Sequence, residues 1–134
     1  MIKQRTTRRL SAEHGQAMTE FAIVLPIFLL LIFAIIQFGI VWNNYVTLTD
    51  AARAGARKAT VSRHGDPVGA ACTQVRASAV DLKGDLQCNA SVTGPLDRPG
   101  GDVQVQASYP YSINLLGIIV ASGRLNTTQT ERIE

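Results

Sequence analysis

No Asp, Glu, Lys or Arg occurs between Glu20 and Asp50 of this 134-residue chain, and inside that gap Phe21 to Trp42 reads FAIVLPIFLLLIFAIIQFGIVW, with Gln37 its only side-chain amide. As an α-helix these 22 residues extend roughly 33 Å at about 1.5 Å per residue, enough to cross a hydrocarbon core of about 30 Å. No amphipathic face can be drawn through Leu29, Leu30, Leu31, Ile32 and Phe33, so a soluble core helix would need a domain large enough to surround it. The rest of the chain is too short for that, and the run reads as one membrane-spanning helix. Trp42 and Tyr45 fall where an interfacial aromatic belt would lie. Length excludes a multidomain enzyme, and a content of 46% hydrophobic residues excludes a disordered chain.

Charge orients the helix only modestly. Lys3, Arg5, Arg8 and Arg9 precede it, while Arg53, Arg57 and Lys58 follow it, so the positive-inside bias is small. A cleavable secretory signal fits poorly, because its apolar region is about 7–15 residues long and ends at a small-residue cleavage site. Here the run is longer and leads into polar Asn43 and Asn44.

The residues in front of the run are Gly15-Gln16-Ala17-Met18-Thr19-Glu20-Phe21. A basic leader ends in Gly, and a carboxylate stands five positions later at the edge of the apolar helix. A carboxylate at that edge is costly unless it has water, a partner or a role; its simplest role is to complement the positive end of the helix dipole, worth about 0.3–1 kcal/mol. The pattern resembles the processing site of type IV prepilins, cleaved by a membrane-embedded aspartyl prepilin peptidase on the cytoplasmic side. That resemblance implies Gly15 as the last leader residue, Gln16 as the mature N-terminus and Glu20 as the characteristic carboxylate of the motif, with Phe21 next to it in the processing site. Cleavage would expose an α-amine of unperturbed pKa about 7.7–8, which Glu20 of a neighbouring subunit could neutralise. Pro26 removes one helical hydrogen bond and crowds the Ala22 carbonyl, so a kink is expected there.

From Asn43 to Ser62 the chain continues in helix-favouring residues. Ala51, Gly55 and Ala59 recur every four residues, as do Ala52 and Ala56, making a narrow smooth face that admits a closely packed helix or sheet. Good helix propensity alone also accounts for that composition. Arg53, Arg57 and Lys58 read as a solvated face, without the aromatic interleaving of a nucleic-acid surface.

Taken together, the Glu20-Phe21 junction, the Leu25-Pro26 step, Gln37-Phe38-Gly39 and the Ala51 to Arg57 block resemble the signature region of TadE-like proteins. These are pilin-like or pseudopilin components of tight-adherence (Flp-type) pilus systems. Flp-type motifs commonly have Tyr after the Glu; Phe21 keeps the ring and loses the hydroxyl. The resemblance implies a non-enzymatic subunit of the bacterial inner membrane, N-terminus cytoplasmic and C-terminal domain periplasmic. The partners it implies are prepilin peptidase, other pilin-like or minor subunits, the inner-membrane assembly platform and membrane lipid, with no nucleic acid and no cofactor. An unprocessed single-pass anchor whose exported domain binds a partner protein or ligand is the alternative.

Beyond the long helix the expected architecture is α+β, and three parts are expected: a leader at 1–15, a transmembrane and extended helix at 16–62, and a small exported domain at 63–134. A helix from Asp66 to Lys83 would be capped by Asp66, begun by Pro67 and ended by Gly84, with Val68, Ala71, Cys72, Val75, Ala79 and Leu82 on one face. Alternation at Leu86, Cys88, Ala90 and Val92, and again at Val103, Val105, Ala107 and Tyr109, predicts two strands. Gly94-Pro95 and Pro99-Gly100-Gly101 mark a long hairpin loop between them, and a third antiparallel strand is expected from about Arg124 to Ile133.

Cys72 and Cys88 fall on the apolar faces of the second helix and the first strand, so a disulfide would tie helix to sheet and contribute roughly 3 kcal/mol. Two buried free thiols are the alternative. No metal site is expected, since His14 lies in the leader and only His64 remains beyond it. The stretch Ile113 to Ala121, INLLGIIVA, is too short to span a bilayer, and core, partner surface and membrane-resting segment all remain open for it. The overall charge of +3 resides in the leader, because residues 16–134 contain nine basic and nine acidic residues.

Overall fold

The structure, a computed structural model, describes residues 5–62, 64–82, 84–95 and 100–133, with side chains described from Gly15 onward. Lys3 of the basic flank, Lys83 at the expected end of the second helix and Pro99 of the expected loop lie outside the described residues, as do the side chains of Arg5, Arg8, Arg9 and His14. The elements are α1 (Arg5–Val61), α2 (Pro67–Ser78), β1 (Gln87–Thr93), β2 (Asp102–Leu115) and β3 (Ile118–Arg132). The chain divides into two compact units, Met1–Gln37 and Phe38–Glu134.

In the first unit α1 is the whole of the described structure. Helix runs on both sides of Pro26, and none of its most apolar stretch is buried. Phe21, Ile23, Ile27 and Phe28 are each more than half exposed. This is the sequence pattern made physical: apolar all round, with the apolar side chains left exposed.

The second unit has an α+β core. Leu48, Ala51, Ala52, Ala56 and Ala59 of α1, Ala71 and Val75 of α2, Ala90 of β1, and Val103, Val105 and Ala107 of β2 are buried together, with Ile133 closing one end. α1 stops at Val61, where the Ser62 amide still donates to the Lys58 and Ala59 carbonyls. The Asp66 carboxylate then accepts from the Gly69 amide at 2.9 Å, and Pro67 occupies the first turn of α2. Both features satisfy the orphan donors of a helix start without needing tertiary support.

Two details of α2 differ from expectation. The helix ends at Ser78, not Lys83; Ala79 leaves the helical region (φ −91°, ψ 51°) while its amide caps the Val75 carbonyl. Ala79 and Leu82 are still buried, because a turn closed by the Leu82 amide on the Ala79 carbonyl brings Leu82 to the core. Their four- and three-residue spacing therefore suits a helix plus a turn as well as a longer helix, and Gly84 lies in the link to β1 instead of capping. Val68 is 39% exposed; the buried position in that first turn belongs to Pro67.

The sheet is an antiparallel meander in the order β1-β2-β3. Register aligns Cys88 with Ala107, Ala90 with Val105 and Val92 with Val103, so the apolar residues of both strands share the inner face. The polar outer face carries Gln87, Ser108 and Asn126 in one row and Asn89, Gln106 and Thr128 in the next. β2 and β3 are longer than expected. Residues 109–115 of β2 run past the last residue paired with β1 and pair only with β3, which begins at Ile118 rather than near Arg124. The stretch Ile113 to Ala121 is the end of that hairpin, not core: Leu116, Ile118, Ile119 and Val120 are 61–72% exposed.

Candidate functional site: the N-terminal helix junction

The Gly15 to Phe21 junction lies within α1, and all seven residues are exposed. The Thr19 hydroxyl donates to the Gly15 carbonyl at 2.9 Å, and the Gln16 side-chain amide donates to the Glu20 carboxylate at 3.3 Å. Both are one-turn contacts between residues four apart, the spacing that puts side chains on the same helix face. Glu20 thus stands free toward solvent with a single local donor. A Cβ built on Gly15 would meet nothing within 4 Å, so no packing requirement accounts for glycine there.

At the other end of the apolar run three rings share one helix face. Phe38 stacks on Trp42 with centroids 6.2 Å apart, and Trp42 tilts against Tyr45 at 6.1 Å. Such rings suit a membrane–water boundary. The four-residue spacing of Phe38 and Trp42 is the signal that places Phe38 in this cluster with the Trp42 and Tyr45 of the expected belt.

The small-residue face is occupied from within the same chain. Ala51, Ala52, Gly55, Ala56 and Ala59 are buried, and Gly55 backs onto Ala71 and Val75 of α2. Arg53, on the opposite side, pairs with Asp50 at 3.5 Å, an exposed contact that contributes little to stability. The disulfide Cys72–Cys88 joins α2 to β1, with Cα atoms 5.6 Å apart. Closing a loop of this length contributes roughly 3 kcal/mol in the chain-entropy account.

Other chemistry is sparse among the described residues. They contain no group of three or more His, Cys, Asp or Glu side chains that could hold a metal ion. A shallow trough on the outer sheet face is lined by Gln87, Asn89, Gln106, Ser108, Asn126 and Thr128, amides and hydroxyls without an acid, base or charged nucleophile. Beside it the Arg124 guanidinium donates to the Ser108 hydroxyl at 3.0 and 3.1 Å and to the Asp85 carbonyl at 3.3 Å.

These features define a chain with one N-terminal helix long and apolar enough to span a membrane, joined to a small disulfide-linked α+β unit. Residues 15–57 match the family model of TadE-like proteins. The match takes in the junction, the apolar run and most of the small-residue face; α2, the sheet and the disulfide lie beyond it. No curated protein and no solved structure matches the chain.

Proposed function

We propose that this protein is a membrane-anchored minor pilin-like (pseudopilin) subunit of a tight-adherence pilus, cut after Gly15 by prepilin peptidase before it takes part in pilus assembly or anchoring. The observation that carries the reading is register. Gly15 and Glu20 stand at fixed spacing in front of an apolar run with no further charge until Asp50, inside the segment that matches the TadE-like family.

The physical sequence of events is simple. Before cleavage, the four basic residues of the leader favour the cytoplasmic side for the N-terminus, by a small margin over Arg53, Arg57 and Lys58. Cleavage removes the leader's net charge of +3 and leaves residues 16–134 with no net charge. The new α-amine on Gln16 is largely cationic near neutral pH, and Glu20 of an adjacent subunit displaced by about one helical turn, roughly 6 Å, along the axis would offer it a carboxylate. Helix-to-helix packing along the apolar run would then build the assembly. The domain from α2 onward would lie on the periplasmic side and meet other minor subunits or the inner-membrane platform. Catalysis has no part in this reading, and neither a cofactor nor nucleic acid is called for.

The alternative of an unprocessed single-pass anchor draws on one observation: α1 is helical on both sides of Gly15, whereas a peptidase needs the bond exposed. Glycine makes local unwinding cheaper by about 1 kcal/mol than alanine would. N-terminal sequencing of the membrane-bound protein from cells containing the peptidase separates the readings. A start at Gln16 is expected, and a start at Met1 would sink the processing claim.

A further inference from the structure

The β2–β3 hairpin ends in an exposed aliphatic tip that the family resemblance does not include. Leu116, Ile118, Ile119 and Val120 are 72%, 70%, 64% and 61% exposed. No Asp, Glu, Lys or Arg occurs between Asp102 and Arg124. The turn is built in a way that keeps an apolar residue at its apex. Leu116 (φ +53°) and Gly117 (φ +89°) both have left-handed backbone, as a two-residue hairpin turn of matching twist requires. Asn, Asp or Gly serves the first of those positions without strain, yet leucine stands there. The Asn114 side chain accepts from the Gly117 amide at 2.9 Å and fixes the turn from outside. Strain retained at an exposed apolar residue points to use of that residue.

We infer that this tip is a shallow membrane wedge, which inserts into the interfacial region of the bilayer that anchors the chain. Three observations favour lipid over a protein groove. The exposed side chains are aliphatic only, without the Trp, Tyr or Arg that dominate protein hot spots. The tip is a convex hairpin end, and fluid lipid needs no complementary shape to receive it. The chain also carries its own bilayer-spanning helix, so the membrane surface is present at high effective concentration. Insertion stays shallow, because the hairpin's unpaired edge groups cannot enter hydrocarbon. The inference rests on the reading of residues 21–42 as a membrane span.

The full chain is reconstituted in vesicles of phosphatidylethanolamine and phosphatidylglycerol, with nitroxide on the acyl chains of part of the lipid. Since Cys72 and Cys88 are bonded to each other and no cysteine is free, single variants Ile118→Cys, Val120→Cys, Thr128→Cys and Leu31→Cys each take one environment-sensitive fluorophore. Labels at Ile118→Cys and Val120→Cys are expected to be quenched several-fold more than at the outer-face control Thr128→Cys. Quenching at Leu31→Cys with both tip labels at the Thr128→Cys level overturns the wedge and leaves the span standing. Tip labels with apolar emission but no lipid quenching show a protein partner or second copy over the tip, and also overturn it. An unquenched Leu31→Cys label removes the span, and the wedge falls with it.

Discussion

The backbone of Gly55 in α1 lies directly against the Ala71 carbonyl of α2: a Cβ built on Gly55 would stand 2.9 Å from that oxygen and 2.5 Å from Val75 Cγ2. A methyl group could turn aside, but a carbonyl held in a helix cannot. Gly55→Ala gains about 1 kcal/mol of helix propensity and loses roughly 1–3 kcal/mol to overpacking. A net loss of about 1 kcal/mol is expected, and Gly55→Val, with a branched side chain at the same contact, is expected to lose more. Thermal unfolding of the full chain in detergent checks this, at roughly 4–8 °C per kcal/mol for a domain of this size. An unchanged midpoint for Gly55→Val would show that α2 does not pack on this face.

The disulfide is the second test. The structured residues beyond α1 are few, and a small domain with a limited core depends heavily on such a staple. The Cys72→Ala/Cys88→Ala double variant is expected to lose roughly 3 kcal/mol, read as a lower melting midpoint. Reductant should lower the midpoint of the parent by a similar amount and leave the double variant unmoved.

Much of this was readable because each signal had one physical cause. The apolar run needed only length and the absence of charge, and Asp66-Pro67 announces a helix start by local chemistry alone. Alternation at Cys88, Ala90 and Val92 set the inner face of β1, and the register puts those residues opposite Ala107, Val105 and Val103. What failed to show were features decided by competition. Ala79 and Leu82 keep helical spacing while the chain has already left the helix. Ile113 to Ala121 conceals a hairpin because its turn has leucine where turn chemistry favours Asn, Asp or Gly. The small-residue face was compatible with a close neighbour on α1 and equally with helix propensity alone, and spacing did not say that a neighbour exists or that it is α2 of the same chain.

The junction itself allows a clean separation of folding from processing. A Cβ on Gly15 meets nothing, so Gly15→Ala is expected to leave the fold intact and raise local helix stability by about 1 kcal/mol. Retention of the leader in that variant would then report on cleavage alone. Isoelectric focusing gives the readout: the full chain has a sequence pI near 9.2, whereas a chain starting at Gln16 has no net formal charge and should focus well below that. A single basic band for the parent in peptidase-containing cells would show that no cleavage occurs.

Asp66 tests how much α2 depends on its cap. Its carboxylate oxygen accepts from the Gly69 amide at 2.9 Å, and the same turn leads into the α2 surface that carries Cys72. Asp66→Ala is expected to cost about 1 kcal/mol, and Asp66→Asn or Asp66→Ser much less, since each retains an acceptor oxygen. Melting midpoints in the ranking Asp, Asn and Ser above Ala are the expected outcome. Equal losses for all three variants would assign the effect to charge instead of capping.

Leu116 sets stability against use. A leucine in left-handed backbone costs about 1–2 kcal/mol, which Asn largely avoids because its short polar side chain tolerates that conformation. Leu116→Asn is therefore expected to raise the melting midpoint by several degrees, equivalent to about 1 kcal/mol, while removing the most exposed aliphatic side chain of the tip. If the tip inserts in lipid, a gain in stability should accompany weaker quenching of a label at Ile118→Cys. The pairing of those two signs is what carries the argument: a residue retained only for folding would not be improved by its own removal. A lower melting midpoint for Leu116→Asn would show instead that the leucine stabilises the hairpin through packing, and would remove the strain argument for the wedge.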